Sequence, residues 1–383
     1  MNLFRCRCCL YPNTKPDLHF DEHGICSACQ AYDKRQTVDW EKKWFELIDL
    51  VDIKSDGSHD CIVAVSGGKD SHALVLKVLD LDKRPLAVCA TTDHLTPLGR
   101  KNLDNIANLC DLVEVTPNRK TRAKLSRFSL EEVGDISWCE HHLIWSVPMR
   151  EAVERNIPLV FYGECPQNEY GAGPAGSETQ TRLTQDWMHE FGGLLGLRLD
   201  DMADILDIDR AELEIYRYPN NAENVQAIFM GAYFPWDGYE NFLLAREHGF
   251  TPYERQVEGS IGDYENLDNA QTGIHDHLRW LKFGYSRALD IASNHIRRDR
   301  LARSEAIKMI DGREGAWPYR YINVKLGDVL SRIGLTEADY ETICKRFTNR
   351  EVVEWASQPE SFRCFSGTAT VASKESNSIQ AAE

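Results

Sequence analysis

The sequence predicts a doubly wound α/β fold on a mostly parallel sheet, preceded by a small cysteine-rich module and followed by a mainly helical region. Three observations carry this. Four apolar runs, Cys61–Val65, Leu86–Thr91, Leu112–Val115 and Pro158–Tyr162, are separated by helix-like segments, the alternation expected of parallel strands buried on both faces. The first run breaks directly into Ser66-Gly67-Gly68-Lys69-Asp70-Ser71 and restarts as a helix. Two Cys-x-x-Cys pairs stand at the amino terminus, ahead of the first strand.

Length and composition set the frame. The chain has 383 residues, 42% hydrophobic and 27% charged, the balance of a soluble globular protein of one large or two ordinary domains. No apolar run approaches a membrane span and "MNLFRCRCC" is not a signal peptide, so the expectation is a cytoplasmic protein without membrane insertion. The net charge of −16 disfavours broad binding to nucleic acid, whose phosphates recruit Lys and Arg. Twelve cysteines in a reducing compartment imply metal, catalysis or burial rather than disulfides.

Taken in order, residues 1–57 comprise the cysteine-dense segment and a linking helix, with Trp40, Trp44, Leu47, Ile48 and Val51 at helical period. Residues 58–170 form the α/β unit, with helices at Asp70–Leu79 and Pro97–Cys110 and a broken helix at Trp145–Arg155 interrupted by Pro148. Residues 171–350 read as helical and aromatic-rich after the Gly/Pro-rich "EYGAGPAGSETQ". Thr336 and Asp339 stand at capping-box spacing ahead of an apolar helix. Residues 351–383 are a tail, expected to be largely disordered from about residue 366, where large apolar residues cease.

Cys6 and Cys9 are separated by sixteen residues from Cys26 and Cys29. Two such turns supply four thiolates for a tetrahedral Zn²⁺, a closed and therefore structural site. An Fe–S cluster is the alternative, with less suitable spacing. Cys8 is a surplus thiol that leaves the choice of ligand open.

Gly67 and Gly68 let the backbone approach an anion with its N–H groups turned inward, and the following helix points its positive end at the same place. Ser66 and Ser71 add hydroxyls and Lys69 adds charge. The spacing is not that of a Walker loop. "SGGKDS" resembles the PP-loop of ATP pyrophosphatases, which grips the pyrophosphate leaving from ATP. The second strand ends near Ala90, Thr91 and Asp93, placed for adenine recognition at the sheet's carboxyl edge, with Cys89 a core residue. The fourth strand runs into Gly163-Glu164 and then Glu169, carboxylates suited to Mg²⁺, with a loop cap and a solvated side chain as the plain alternatives.

Further on, "YFPWDGYEN" and the segment bearing Lys282, Arg287, Arg297, Arg298, Arg300 and Arg303 stand out. Local positive charge on an acidic chain suits a small polyanion. Lys282 and Arg287 are the better candidates, inside an aromatic, Gly-containing stretch, whereas Arg300 and Arg303 fit a solvated helix face. His141 and His142 after Cys139 read as structural before metal-binding, and Asp200–Glu214 as a solvated helix edge lacking EF-hand order.

Together "FDEHGICSAC", "SGGKDS", "TPN", "GECPQNEYG", "YFPWD" and "KFGYSRALDIAS", in this order from about Phe4 to about Arg350, resemble the N-acetyl sugar amidotransferases, a PP-loop family of surface-polysaccharide and O-antigen biosynthesis. The resemblance implies conversion of the acetamido group of a UDP-linked N-acetyl sugar to an acetamidino group through an O-adenylyl imidate, with ATP, Mg²⁺ and a structural Zn²⁺. It implies Asp70, Glu164, Glu169, Lys282 and Arg287 as catalytic candidates. Ser66 to Ser71, Ala90, Thr91, Asp93 and Gly163 are the nucleotide-binding candidates. The chain shows no glutaminase constellation, so ammonia would come from elsewhere, and the resemblance implies two partners similar to the glutaminase and cyclase subunits of imidazole glycerol phosphate synthase. Two rivals stand beside this reading: a PP-loop tRNA thiolase, which would need thiols such as Cys139 or Cys165 near ATP, and a non-catalytic nucleotide-binding scaffold.

Overall fold

The computed structural model describes residues 2–52, 57–171 and 180–362. Five parallel strands, β1 (Cys61–Ala64), β2 (Pro85–Ala90), β3 (Asp111–Val115), β4 (Leu159–Tyr162) and β5 (Gln226–Phe229), pair in the order β3-β2-β1-β4-β5. Strand side chains alternate between two cores. Ile62, Leu86, Val88, Val160, Tyr162 and Phe229 enter one, while Cys61, Val63, Ala87, Leu159, Phe161 and Ile228 enter the other. That two-residue period, apolar in both phases, is what a sheet covered on both faces requires.

The helices are α1 (Ser27–Arg35), α2 (Trp40–Leu50), α3 (Lys69–Asp80), α4 (Pro97–Ile106), α5 (Arg119–Val133), α6 (Trp138–Arg155), α7 (Pro166–Tyr170), α8 (Gln185–Phe191), α9 (Leu199–Leu206), α10 (Arg210–Leu213), α11 (Gly238–Glu247), α12 (Thr272–Phe283), α13 (Arg287–Arg297), α14 (Arg303–Ile310), α15 (Leu326–Ser331), α16 (Glu337–Phe347) and α17 (Arg350–Ala356). Leu47 of α2, Leu74, Val75 and Val78 of α3 and Leu103 and Ile106 of α4 cover one face of the sheet. Leu125 of α5, Trp138, Leu143 and Met149 of α6 and Trp187 of α8 cover the other. Each aliphatic side chain fully buried in this way contributes roughly 1.5–3 kcal/mol. Thr336 and Asp339 form the reciprocal cap that opens α16. No described helix is long and apolar enough to cross a membrane.

Three features depart from the sequence reading. The fifth strand comes from residues 226–229, so the α/β unit does not end at 170. The helix before β4 begins at Trp138 and runs unbroken through Pro148. In the turn that the proline loosens, the Tyr162 hydroxyl donates to the Trp145 carbonyl at 2.8 Å. The cysteine module is no separate body, since Cys6, Cys9, Leu10 and Tyr11 share a core with Leu289, Ala292, Ala306 and Ile310 of α13 and α14. The tail expected to be disordered from about residue 366 lies outside the described residues.

Candidate active site

β1 delivers the chain into the loop at the middle of the sheet, between β2 and β4. Gly67 sits at φ +92°, where an added Cβ would also stand 3.1 Å from Leu103, so only glycine makes this turn without strain. Gly68 is the N-cap of α3 and offers no side-chain cap, leaving the first amides of the helix for an anion. The serines fix the loop from within: Ser71 Oγ accepts from the Ser66 amide at 2.9 Å, and Ser66 Oγ from the Gly68 amide at 3.4 Å.

Lys69 is buried and paired with Asp70 at 2.5 Å and Glu265 at 3.0 Å. Burial opposes its charge, but the two carboxylates outweigh burial and hold the ammonium firmly protonated. Asn241 of α11 donates to the other oxygen of Asp70 at 2.8 Å. α11 packs on α3, which is how "YFPWDGYEN" reaches the loop.

Beside the loop lies a narrow polar cavity walled by Lys69, Asp70, Glu164, Tyr239, Glu265 and Arg298, among others. Gly163 lets the chain leave β4 under the Trp236 ring, which a Cβ would meet at 2.7 Å. Burial, followed by the negative charges of Asp70 and Glu169, raises the Glu164 carboxyl from 4.5 to about 7, although Tyr170 donates to it at 3.0 Å. Glu169 is neither solvated nor free. It is buried between Arg35 of α1 and Arg298, the latter at 2.8 Å, and Arg298 also holds Asp237 at 2.8 Å. Asp70, Glu164 and Glu265 all face this cavity, with Lys69 held between Asp70 and Glu265.

The residues expected at adenine stand at the carboxyl end of β2. The Thr91 hydroxyl meets that of Thr116 at 2.9 Å, and Asp93 is held by Arg332 at 3.1 Å. Thr91 and Asp93 border a second cavity of about 340 Å³, to which Arg100, Arg119 and Arg122 contribute, whereas Ala90 is buried in β2 and does not line it. Lys282 and Arg287 do not reach the loop cavity. Lys282 donates to the carbonyls of Val133 and Gly134 (3.1 and 2.9 Å) at the end of α5, and Arg287 pairs with Asp276 at 3.2 Å. Arg300 is exposed, as expected, whereas Arg303 is half-buried. Arg300 pairs with Asp237 over the Tyr239 ring, and Arg303 donates to the Cys6 carbonyl at 3.0 Å and to that of Cys9. Sequence reasoning did not single out Glu265 or Tyr264.

Cys6, Cys9, Cys26 and Cys29 are buried with their sulfurs within 4.8 Å of one another, while Cys8 is exposed and outside the four. Cys6 and Cys29 lie 3.9 Å apart, and Cys9 and Cys26 lie 3.6 Å apart. Sulfurs held at about 2.3 Å from a tetrahedral zinc stand about 3.8 Å from each other, so number, chemistry and spacing all fit that ion. Through α1 the module also supplies Arg35 to Glu169.

Cys139, Cys165, His141 and His142 are packed into the fold. Burial pushes the Cys139 thiol up to about 12 and that of Cys165 to about 11, far from thiolate formation. His141 and His142 lie on α6 and meet the carbonyls of Gly193 and Tyr216 at 3.1 and 3.0 Å. In the acidic run Asp200 pairs with Arg217 and Asp204 with Arg210, both carboxylates exposed.

Residues 245–366 match the family model described as LPS biosynthesis protein WbpG-like, C-terminal domain. The last third of the chain is thus similar to the C-terminal domain of a WbpG-like protein. No curated protein matches the chain. Among solved structures it is similar to NMN synthetase from Francisella tularensis, at 14% identity over 55% of this chain and 87% of that one, with a TM-score of 0.28. The matched segment contributes Tyr264, Glu265, Arg298 and Arg300 to the cavity beside the loop, while the α/β unit contributes Lys69, Asp70 and Glu164.

Proposed function

We propose that the protein is an ATP-dependent amidotransferase that converts the acetamido group of a UDP-linked N-acetyl sugar to an acetamidino group in surface-polysaccharide biosynthesis. The observation that carries this reading is the cavity itself. It joins Lys69 and Asp70, the first residues of the helix that follows Gly67-Gly68, to Glu164 and to a wall from the segment that matches the WbpG-like model. On this reading the phosphate-binding loop and a polysaccharide-biosynthesis segment would act on one substrate at this cavity.

The amides of the loop, with Ser66 and Ser71, would hold the pyrophosphate end of ATP, and the cavity at Thr91 would take its adenosine end. Asp70 and Glu164 would hold Mg²⁺, which neutralises phosphate charge and polarises the phosphoryl oxygens when bound. The amide oxygen of the sugar attacks the α-phosphorus and pyrophosphate leaves. Ammonia then adds to the imidate carbon, AMP departs with the former amide oxygen, and a proton is released. Adenylation is needed because an amide carbonyl is a poor electrophile and its oxygen a poor leaving group. The cysteine cluster would hold Zn²⁺ as a fold element. Ammonia would be supplied by a glutaminase partner and a cyclase-like channelling partner.

The test is incubation of the purified chain with ATP, Mg²⁺, ammonium and a panel of UDP-N-acetyl sugars. The expected result is AMP together with a sugar product lighter by about one mass unit, oxygen having been replaced by NH. Asp70→Ala should give neither. AMP formation without a lighter sugar in any member of the panel would overturn the proposal.

A further inference from the structure

A cavity of about 490 Å³ lies within the segment that matches the WbpG-like model, away from the loop, and the reaction just described gives it no role. Its walls include Trp317, Tyr319 and Tyr321 together with Arg255, Arg313 and Arg320. Tyr319 is 75% exposed, and its ring lies 6.5 Å from that of Trp317 in the same wall. The charge balance inside is positive. Asp276, also in the wall, is neutralised by Arg279 and Arg287, each at 3.2 Å. Arg313 and Arg320 have no carboxylate partner among the described residues, and Arg313 bonds only to Gln256 at 2.6 Å and the Met309 carbonyl at 2.5 Å. Arg255 is aimed by the Tyr253 hydroxyl and the Asn323 side chain, both at 3.0 Å. Glu258 accepts from the Ile322 amide at 3.0 Å and lies 3.9 Å from Arg255, so it offsets that arginine and leaves Arg313 and Arg320 as the uncompensated charges.

The floor of this cavity is built rather than incidental. Ile322 and Asn323 turn the β6 (Arg320–Tyr321) to β7 (Val324–Lys325) hairpin with φ of 44° and 67°. Left-handed backbone at a β-branched residue is rare, and it persists here because Glu258 and Arg255 grip the turn on both sides. A third space, of about 490 Å³, borders both this cavity and the one beside Asp70. It shares Arg255 with the first, and Tyr239, Tyr264, His295 and Arg300 with the second.

We propose that this aromatic and arginine-lined cavity binds the nucleoside diphosphate half of the substrate, with the sugar extending along the third space so that its acetamido group reaches the loop. Flat rings offer stacking to a base, and guanidinium groups match a diphosphate in charge and geometry. The assignment rests on the amidotransferase reading for what lies at the far end of that space, but not for the nucleotide site itself.

The test is calorimetric titration of the full chain with UDP alone. The probe is expected to bind, and Tyr319→Ala and Arg320→Ala, both exposed positions that leave the core untouched, should each weaken it about tenfold. ATP binding should be unchanged in both variants, while Asp70→Ala should weaken ATP and leave UDP alone. Absence of UDP binding, or equal binding by wild type and both variants, overturns the assignment. UDP binding as expected with no amidine from any sugar would sink the reaction and leave this site standing. Amidine formation with an unchanged KM in both variants would do the reverse.

Discussion

Replacing Glu164 by Gln removes one charge from the cavity while keeping its size and its bond to Tyr170. In the folded protein the carboxyl is raised from 4.5 to about 7 by burial and by the charges of Asp70 and Glu169. That displacement corresponds to about 3 kcal/mol of penalty on the ionised form. Because the native state holds the proton more tightly than the unfolded chain, the relative stability this group provides is fully present below about pH 4.5. It is lost as pH rises through about 7. Glu164→Gln should therefore be more stable than wild type at pH 8, by up to about 3 kcal/mol, and the two should converge below pH 4.5. Urea unfolding across that range, followed by far-UV circular dichroism, measures the difference. Mg²⁺ at pH 8 should close the gap by stabilising wild type alone, since only wild type has the uncompensated charge. A variant less stable than wild type at pH 8, or a gap indifferent to Mg²⁺, would refute the reasoning.

Gly67→Ala places a Cβ at φ +92° and 3.1 Å from Leu103; it should cost about 1–2 kcal/mol in stability and abolish ATP binding, both readable in one calorimetric and one unfolding experiment. Arg298→Met leaves Glu169 with only Arg35 and Asp237 with only Arg300, and breaking a buried pair from one side predicts a loss of about 3–5 kcal/mol by denaturant unfolding. Elemental analysis should find about one zinc per chain, and Cys26→Ser should release it and lower the thermal midpoint, because the sulfurs share a core with α13 and α14.

Much of the α/β unit was legible because buried parallel strands announce themselves as short apolar runs. All four expected strands are present, with ends displaced by at most one residue. Gln226–Phe229 was not legible, being four residues long inside an aromatic-rich stretch that carries no period of its own. The loop and the cysteines were legible because their chemistry depends on local spacing. The partners of Asp70 were not, since Asn241 lies 171 residues away and only packing of α11 on α3 unites them. Lys282 shows the opposite failure. A cation among aromatic residues looked like a ligand for polyanions, yet its ammonium satisfies carbonyls at the C-terminal end of α5, where the helix dipole favours positive charge. A sequence window gives charge without direction. The same limit hid Arg303, whose side chain turns back onto the first cysteine turn.

The central claim is that ATP activates the sugar's amide oxygen. The most direct measurement labels that oxygen with ¹⁸O and follows it by mass spectrometry through a reaction with ATP, Mg²⁺ and ammonium. The account predicts that the label appears in the phosphate of AMP and disappears from the amidine product. Label-free AMP alongside an amidine, or label recovered in inorganic phosphate, would contradict it.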